Sequence, residues 1–262
     1  MKFNWKVALV CFATIAMIAC KKDSKDEPSN SGTNVNPDTT AVDTTGGGGG
    51  GGEYVSPISI KDKSIADWDK LDPAKVAIAE APNDPLYTAL KKIMVYADNV
   101  YINYVLIFDP AEITSRTPND GVHIYMNADN SDETGGYWDQ FAPEHMGNVD
   151  LMFEGPIFDD AGAKISYNPN VSAWAGELNG EGWEWEVLPS GSNIGASQFV
   201  EDGIIEGRLI KQYIPWNKWA DAFEIGFDMQ QNWESVGLLP QANTPDGEKI
   251  GRAEKLLVTF DK

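Results

Sequence analysis

Cysteine is nearly absent from this sequence. The 262 residues include only two cysteines, Cys11 and Cys20, and both lie within the first twenty positions. Residues 53–262 therefore contain no thiol. This excludes a disulfide bond, a cysteine zinc site and a cysteine nucleophile from that part of the chain.

Basic side chains are also scarce. Residues 53–262 contain 35 acidic but only 15 basic side chains. Such a surplus opposes binding to nucleic acid, or to anionic lipid through a basic patch, and it favours solubility and the attraction of cations. We therefore expect no nucleic-acid partner, and contact with a membrane only through a lipid anchor.

Catalytic signatures are absent as well. Of the two histidines, His123 falls within a predicted strand, where a structural role is expected, and His145 falls in a loop without a nucleophile signature. The sequence has no Gly-x-Ser-x-Gly motif, no phosphate-binding loop and no histidine-rich metal motif. Two carboxyl groups could still meet at glycosidase separation in the folded chain. We assign no catalytic residue and expect a protein that is not an enzyme.

The amino terminus has the pattern of an export signal. Lys2 and Lys6 precede a thirteen-residue, mostly apolar run over residues 7–19. At 1.5 Å per residue this run covers about 20 Å, which is too short for a bilayer core of about 30 Å. A signal peptide over residues 1–19 is therefore favoured over a membrane span.

The residues around Cys20 resemble the lipobox of bacterial lipoproteins, because a small residue stands directly before the cysteine. In that family the thiol receives a diacylglycerol and the new amino terminus is acylated, and several acyl chains give stable anchoring. The alternative is an ordinary cleaved signal with a chance cysteine. The charged stretch after Cys20 is similar to the export signal of surface lipoproteins in glycan-foraging Gram-negative bacteria. It implies an outer-membrane lipoprotein at the cell surface, with the periplasmic face left open.

Residues 20–52 are predicted to combine the lipidated cysteine with a flexible tether. They are rich in Ser, Thr, Asn, Asp and Pro, and they end in seven consecutive glycines. No apolar periodicity is present from which a core could form. The tether would hold residues 53–262, predicted as a single domain, at a mean distance of roughly 30 Å from the anchor.

Strand patterns dominate residues 53–262, and clusters of Gly, Pro, Asn and Asp separate them. The predicted strands span 91–97, 100–108, 122–127, 150–153, 164–167, 183–188, 204–212, 224–229 and 255–260. Asp98 and Asn99, which tolerate positive φ, predict a tight hairpin turn. Helix signals are limited to single turns at 72–75, 84–86 and 215–220. The pattern predicts an all-β protein, an antiparallel β-sandwich of jelly-roll or immunoglobulin-like type.

Four segments form an ordered set of motifs. Residues 61–68 end in Asp-Trp, and residues 93–109 pair two apolar strands around an Asp turn. Residues 119–125 read Asn-Asp-Gly-Val-His-Ile-Tyr, and residues 207–216 run from Gly-Arg-Leu to Ile-Pro-Trp. The set resembles family-9-type carbohydrate-binding modules, which are β-sandwiches related to DOMON domains. The resemblance implies a sandwich that binds glycan.

Two features depart from this family pattern. Glu206 and Gly207 stand where the family more often has an aromatic residue, with a Glu closer to the Ile-Pro pair. No motif matches the family's ligand-clamping tryptophans, and Trp68 and Trp216, which lie in the matched segments, are expected in the core. The resemblance therefore supports the fold more than the ligand.

The loop after strand 122–127 is rich in oxygen ligands. Asn127, Asp129 and Asp132 are followed by Gly135 and Gly136, which can turn the backbone. Calcium prefers roughly six to eight oxygens from carboxylates and carbonyls. The loop lacks the glycine and glutamate positions of an EF-hand. We predict calcium held by Asn127, Asp129 and Asp132, and the alternative is a solvated acidic turn.

Tryptophan is abundant, with eight of the nine residues in the range 53–262. Sugar rings present C–H patches that stack on aromatic faces, while their hydroxyl groups take polar partners. Trp138, Trp174 and Trp233 lie in Gly-, Asn- and Glu-rich loops and are predicted to bind glycan. Trp183 and Trp185 are expected on one strand with the same orientation. The alternative for each indole is packing in the sandwich.

These observations together favour a lipid-anchored, non-catalytic glycan-binding protein of the cell envelope. One alternative is a structural or interaction subunit of an outer-membrane complex, with a protein partner and no sugar site. The other is a glycoside hydrolase. An exposed aromatic group beside polar side chains would favour glycan binding, a flat apolar patch would favour the subunit, and two close carboxylates in a cleft would favour the hydrolase.

Overall fold

The computed structural model describes residues 54–83, 85–136, 148–180, 183–189, 193–243, 249–253 and 255–262. The predicted signal peptide, Cys20, the tether and Trp138 lie outside these residues. Within the described ranges, no helix is both long and apolar enough to cross a membrane.

The described residues form fourteen strands and a few helical turns of three residues each. The strands are β1 (Ala77–Glu80), β2 (Leu90–Ala97), β3 (Tyr101–Phe108), β4 (Gly121–Asn127), β5 (Leu151–Pro156), β6 (Asn170–Trp174), β7 (Trp185–Val187), β8 (Gly195–Glu201), β9 (Ile204–Ile210), β10 (Ala222–Gln231), β11 (Glu234–Leu239), β12 (Gln241–Asn243), β13 (Lys249–Ala253) and β14 (Leu256–Thr259).

The strands form two large antiparallel sheets. The five-stranded sheet has the order β1-β2-β3-β9-β8, and the seven-stranded sheet has the order β11-β10-β4-β5-β6-β7, with β14 also paired to β10. β12 and β13 form a separate pair. This architecture confirms the prediction of an all-β antiparallel sandwich.

The main core lies between the two sheets, where each strand contributes every second side chain. Val95 and Leu106 of the five-stranded sheet and Ile124, Phe153 and Phe227 of the seven-stranded sheet are fully buried in one cluster. Burial of each such side chain stabilises the fold by about 1.5–3 kcal/mol. The inner faces of both sheets are therefore filled by core packing, and a ligand could reach only the outer faces.

The outer face of the five-stranded sheet is covered by the segment that precedes β1. Ile58 and Trp68 pack on this face. The Trp68 indole N–H donates to Glu206 Oε1 at 2.8 Å, and Arg208 Nη2 donates to the Ile58 carbonyl at 2.6 Å. Trp68 is therefore a core residue, as predicted, and it donates to the residue directly before the last family-like motif.

The predicted hairpin between β2 and β3 is confirmed, but its turn differs from the expectation. Neither Asp98 nor Asn99 adopts a positive φ. Instead, one carboxylate oxygen of Asp98 accepts hydrogen bonds from the backbone N–H groups of Val100 and Tyr101, each at 2.7 Å. The carboxylate closes the turn by satisfying these donors.

Two local predictions were wrong. Residues 164–167 form no strand, because Tyr167 crosses between the sheets: its N–H donates to Ser197 Oγ and its hydroxyl donates to the Val122 carbonyl. A helical turn was expected within 215–220, but the turn in this region is Lys211–Tyr213. The predicted turn near 72–75 is confirmed as Pro73–Lys75.

Candidate functional site

The outer face of the seven-stranded sheet combines polar and aromatic side chains. The core cluster contains the even-numbered residues of β4, so His123, Tyr125 and Asn127 face outward. The strand register places Glu154 of β5 and Asp228 of β10 directly opposite His123, one on each side. A row of titratable groups therefore crosses the centre of this face.

The β10–β11 hairpin carries an exposed tryptophan in an uncommon backbone conformation. Asn232 and Trp233 form its two-residue turn, with φ of 51° and 69°. Asparagine tolerates this left-handed region, but a bulky residue there costs roughly 1–2 kcal/mol. Trp233 is 65% exposed. A strained and exposed indole points to a role other than packing.

Trp233 stands over the polar row, because its ring contacts the ring of His123 edge-to-face, with centroids 6.3 Å apart. His123 Nδ1 lies 3.1 Å from the Tyr125 hydroxyl and 3.5 Å from Glu154 Oε1. Burial lowers the pKa of His123 to about 4, and burial also raises the pKa of Glu154. At neutral pH the imidazole is therefore uncharged, and its contact with Glu154 is not an ion pair.

Asp228 lies on the other side of His123 and is fully buried. Its Oδ2 accepts a hydrogen bond from Gln230 Nε2 at 2.6 Å and another from Ser235 Oγ at 2.9 Å. Gln230 and Ser235 face each other across the hairpin that carries Trp233. Asp228 thus fixes the base of the hairpin that presents the indole.

Trp174, the second tryptophan predicted to bind glycan, packs within the protein. Its indole N–H donates to the Glu177 carbonyl at 2.8 Å, and its ring meets Trp185 at a centroid distance of 5.3 Å. The ring lies so close to Gly136 that a Cβ there would overlap it. These contacts hold the loops beside β6, and sugar binding by Trp174 stays a prediction.

Trp183 and Trp185 do not share an orientation, so that prediction was wrong. Trp185 is 8% exposed, whereas Trp183 is 68% exposed. The reason is that β7 begins only at Trp185, so strand alternation does not extend back to Trp183. Trp183 therefore lies at the β7 edge of the sheet, far in strand order from Trp233 between β10 and β11.

The predicted calcium ligands Asn127 and Asp129 come together in a closed turn. The Ser131 N–H is within hydrogen-bond distance of both Asn127 Oδ1 and Asp129 Oδ1, and Thr134 Oγ1 donates to Asp129. Asp132 is exposed beside them. These internal hydrogen bonds satisfy part of the oxygen set without a cation.

Asp150 was not predicted as a site residue, but it lies beside Asp129 at the end of this face. Its Oδ2 accepts from the N–H groups of Ala128 and Asp129. Burial, reinforced by the charge of Asp129, raises the pKa of Asp150 to about 6. No group of three or more His, Cys, Asp or Glu side chains suited to a metal ion occurs among the described residues. Calcium at Asn127, Asp129 and Asp132 remains a prediction.

Sequence reasoning missed most of the polar row around Trp233. His123 was expected to be structural, and Glu154 and Asp228 were not singled out. The available signal was the period-two sequence of β4, in which His123, Tyr125 and Asn127 occupy one face between apolar neighbours. Such a face is either covered by the chain or available to a ligand.

Comparison with known proteins gives no relative. No family model matches the chain, and no curated protein or solved structure is significantly similar to it. The likeness to family-9-type carbohydrate-binding modules therefore depends on the motif residues alone.

Proposed function

We propose that the protein binds glycan without catalysis, through the outer face of the seven-stranded sheet, with Trp233 as its stacking residue. The observation that carries the proposal is the 65% exposed indole of Trp233, held in a left-handed turn over a row of buried polar side chains.

The chemistry of the face suits a sugar ring. The indole can pack against sugar C–H groups, since Trp233 remains 65% exposed beside its contact with His123. Glu154 supplies hydrogen-bond acceptors for hydroxyl groups, and its side chain is 29% exposed. Tyr125 and His123 stiffen the base of the site through their mutual contact. An aromatic platform with a few fixed polar groups is the usual composition of a ligand site.

The amino-terminal sequence supports a location for this activity. In this proposal Cys20 carries the lipid, residues 21–52 form the tether, and the sandwich faces the surroundings of the outer membrane, at the cell surface. Incorporation of labelled fatty acid into the chain, lost in Cys20→Ala, checks the anchor.

Binding of the full chain to a panel of soluble oligosaccharides, measured by calorimetry, tests the function. We expect at least one glycan to bind and Trp233→Ala to weaken its binding about tenfold, because stacking of one aromatic group contributes roughly 1 kcal/mol or more. Trp183→Ala is the matched control, since Trp183 is equally exposed at the opposite edge of the sheet. It should change the affinity less than twofold.

A second candidate function is a structural or interaction subunit of an outer-membrane complex. It is favoured by an apolar groove of about 650 Å³ on the outer side of the five-stranded sheet, lined by Ile65, Leu71, Val76, Met94 and Ile107 among others. If no glycan in the panel binds, or if Trp233→Ala binds like the unchanged protein, the sugar site is overturned and the subunit role is preferred.

A further inference from the structure

The seven-stranded sheet contains no lysine or arginine in any of its strands. β4, β5, β6, β7, β10, β11 and β14 lack both residue types, whereas the five-stranded sheet carries Lys91, Lys92 and Arg208 in its strands. The one strand residue of the seven-stranded sheet that could become cationic is His123. Because burial keeps His123 neutral at pH 7, the outer face presents no positive charge from its strands.

Carboxylates replace the missing cations near Trp233. Glu154 and Asp228 lie on either side of His123, which contacts the Trp233 ring. Glu154 is the more accessible of the two, since Asp228 is fully buried and bonded to Gln230. The face around Trp233 therefore repels an anionic ligand and attracts a cationic one.

An aromatic ring beside a carboxylate is a good receptor for an ammonium group. The indole is the best of the aromatic faces for a cation, and the attraction grows when the pair is partly removed from water. A sugar that carries a free amino group can stack its ring on Trp233 and place the ammonium near Glu154. A uronic acid or a sulfated sugar would place its charge against the same carboxylate.

We propose that the ligand is a glycan with free, positively charged amino groups, and that Glu154 is the residue that selects it. The inference rests on the glycan-binding function proposed above. It gives the site a chemical class of ligand, an amino-sugar oligomer.

Three hexasaccharides separate this inference from the general function: β-1,4-linked glucosamine, its N-acetylated form and an oligogalacturonate. With the full chain near pH 6, where the amino groups retain charge, we expect the glucosamine hexamer to bind about tenfold more tightly than the N-acetylated hexamer. The oligogalacturonate should bind most weakly. Because the preference is electrostatic, about 0.5 M salt should reduce it to less than threefold.

The variant Glu154→Gln tests the named residue. It should lower the affinity for the glucosamine hexamer about tenfold and the affinity for the N-acetylated hexamer less than threefold, because the amide loses the negative charge but keeps an oxygen that accepts hydrogen bonds. Glu201→Gln, an exposed acid of β8 in the other sheet, is the control and should alter neither affinity. A salt-independent preference, or equal loss of both hexamers in Glu154→Gln, would overturn the selection. Equal binding of the three hexasaccharides would also overturn the selection by Glu154, but it would agree with the general glycan-binding function. If none of the three hexasaccharides binds, the glycan-binding function itself is overturned.

Discussion

At the scale of single residues, Glu206 makes the free energy of unfolding depend on pH. It is fully buried under the segment that precedes β1, and Oε1 accepts a hydrogen bond from the Trp68 indole. Burial raises the pKa of Glu206 to about 7, although the bond from Trp68 lowers it. Asp62 and Asp67 raise this pKa further and Arg208 lowers it. Between about pH 4.5 and 7 the folded protein therefore binds more protons at this site than the unfolded chain.

The sign of the resulting pH dependence is fixed. Because the folded-state pKa is raised, the contribution of Glu206 to stability falls as pH rises through this window, by at most about 3 kcal/mol. Glu206→Gln keeps an acceptor for Trp68 and removes the titration. We expect its melting temperature to match the unchanged protein near pH 5 and to exceed it by several degrees near pH 8. A pH-independent difference would contradict this role, and Glu201→Gln on the neighbouring strand serves as the exposed control.

Calcium at the loop after β4 is a second prediction at this scale. Asp129 raises the pKa of the buried Asp150, and a cation between them would relieve the repulsion of their charges. A ligand that binds only the folded state stabilises it by about 2.7 kcal/mol at a hundredfold excess over Kd. We expect millimolar calcium to raise the melting temperature, and Asp129→Ala to lose most of that rise. Asp160→Ala, an exposed acid elsewhere, should keep it. If calcium raises the melting temperature of both variants equally, or of neither, the loop after β4 is a solvated acidic turn and not a calcium site.

At the scale of an element, the β10–β11 hairpin places the exposed Trp233 indole in a turn conformation that destabilises the fold. The second position of its two-residue turn has a φ of 69°, where glycine is strongly favoured. We expect Trp233→Gly to raise the free energy of unfolding by about 0.5–1 kcal/mol through relief of backbone strain, while it weakens glycan binding about tenfold, as Trp233→Ala does. Trp233→Ala keeps the strained backbone and should not be stabilised. Denaturant unfolding measures the difference, and destabilisation by Trp233→Gly would show that the indole is a structural residue.

The elements differ in how well the sequence predicts them. β3 and β4 are long and rich in apolar or β-branched residues, so both were predicted within one residue of their bounds. β8 and β11 contain Gly and Ser and have weak alternation, and they form because strong neighbours β9 and β10 supply a ladder to pair with. Tertiary context of this kind overrides local propensity and is invisible in a short window of sequence.

The candidate site, too, could be predicted only in part from local sequence. Trp233 could be selected from its loop, because an indole among Glu and Asn residues has no core to fill. The carboxylates Glu154 and Asp228 come from strands distant in sequence, and only the antiparallel register brings them beside His123. Side-chain clusters that depend on register cannot be derived before the strand order is known.

At the scale of the whole molecule, the two outer faces have different uses. The outer face of the five-stranded sheet is covered by residues that precede β1, and it contains the basic strand residues. The outer face of the seven-stranded sheet holds Trp233, and its strands have acidic but no basic side chains. The strands of the two sheets therefore differ in net charge. We expect cationic and neutral ligands to meet the acidic face, and anionic polymers to be repelled from it.

The most direct test of the central claim is the response of individual indole N–H resonances to glycan in the NMR spectrum of the full chain. Trp233→Phe identifies the Trp233 signal, and the glucosamine and N-acetylglucosamine hexamers are titrated separately. We expect the Trp233 signal to shift with saturation, while the signals of Trp68 and Trp174, whose indole N–H groups donate to Glu206 and Glu177, stay in place. Saturable binding that moves other indole signals and leaves Trp233 unchanged would contradict it.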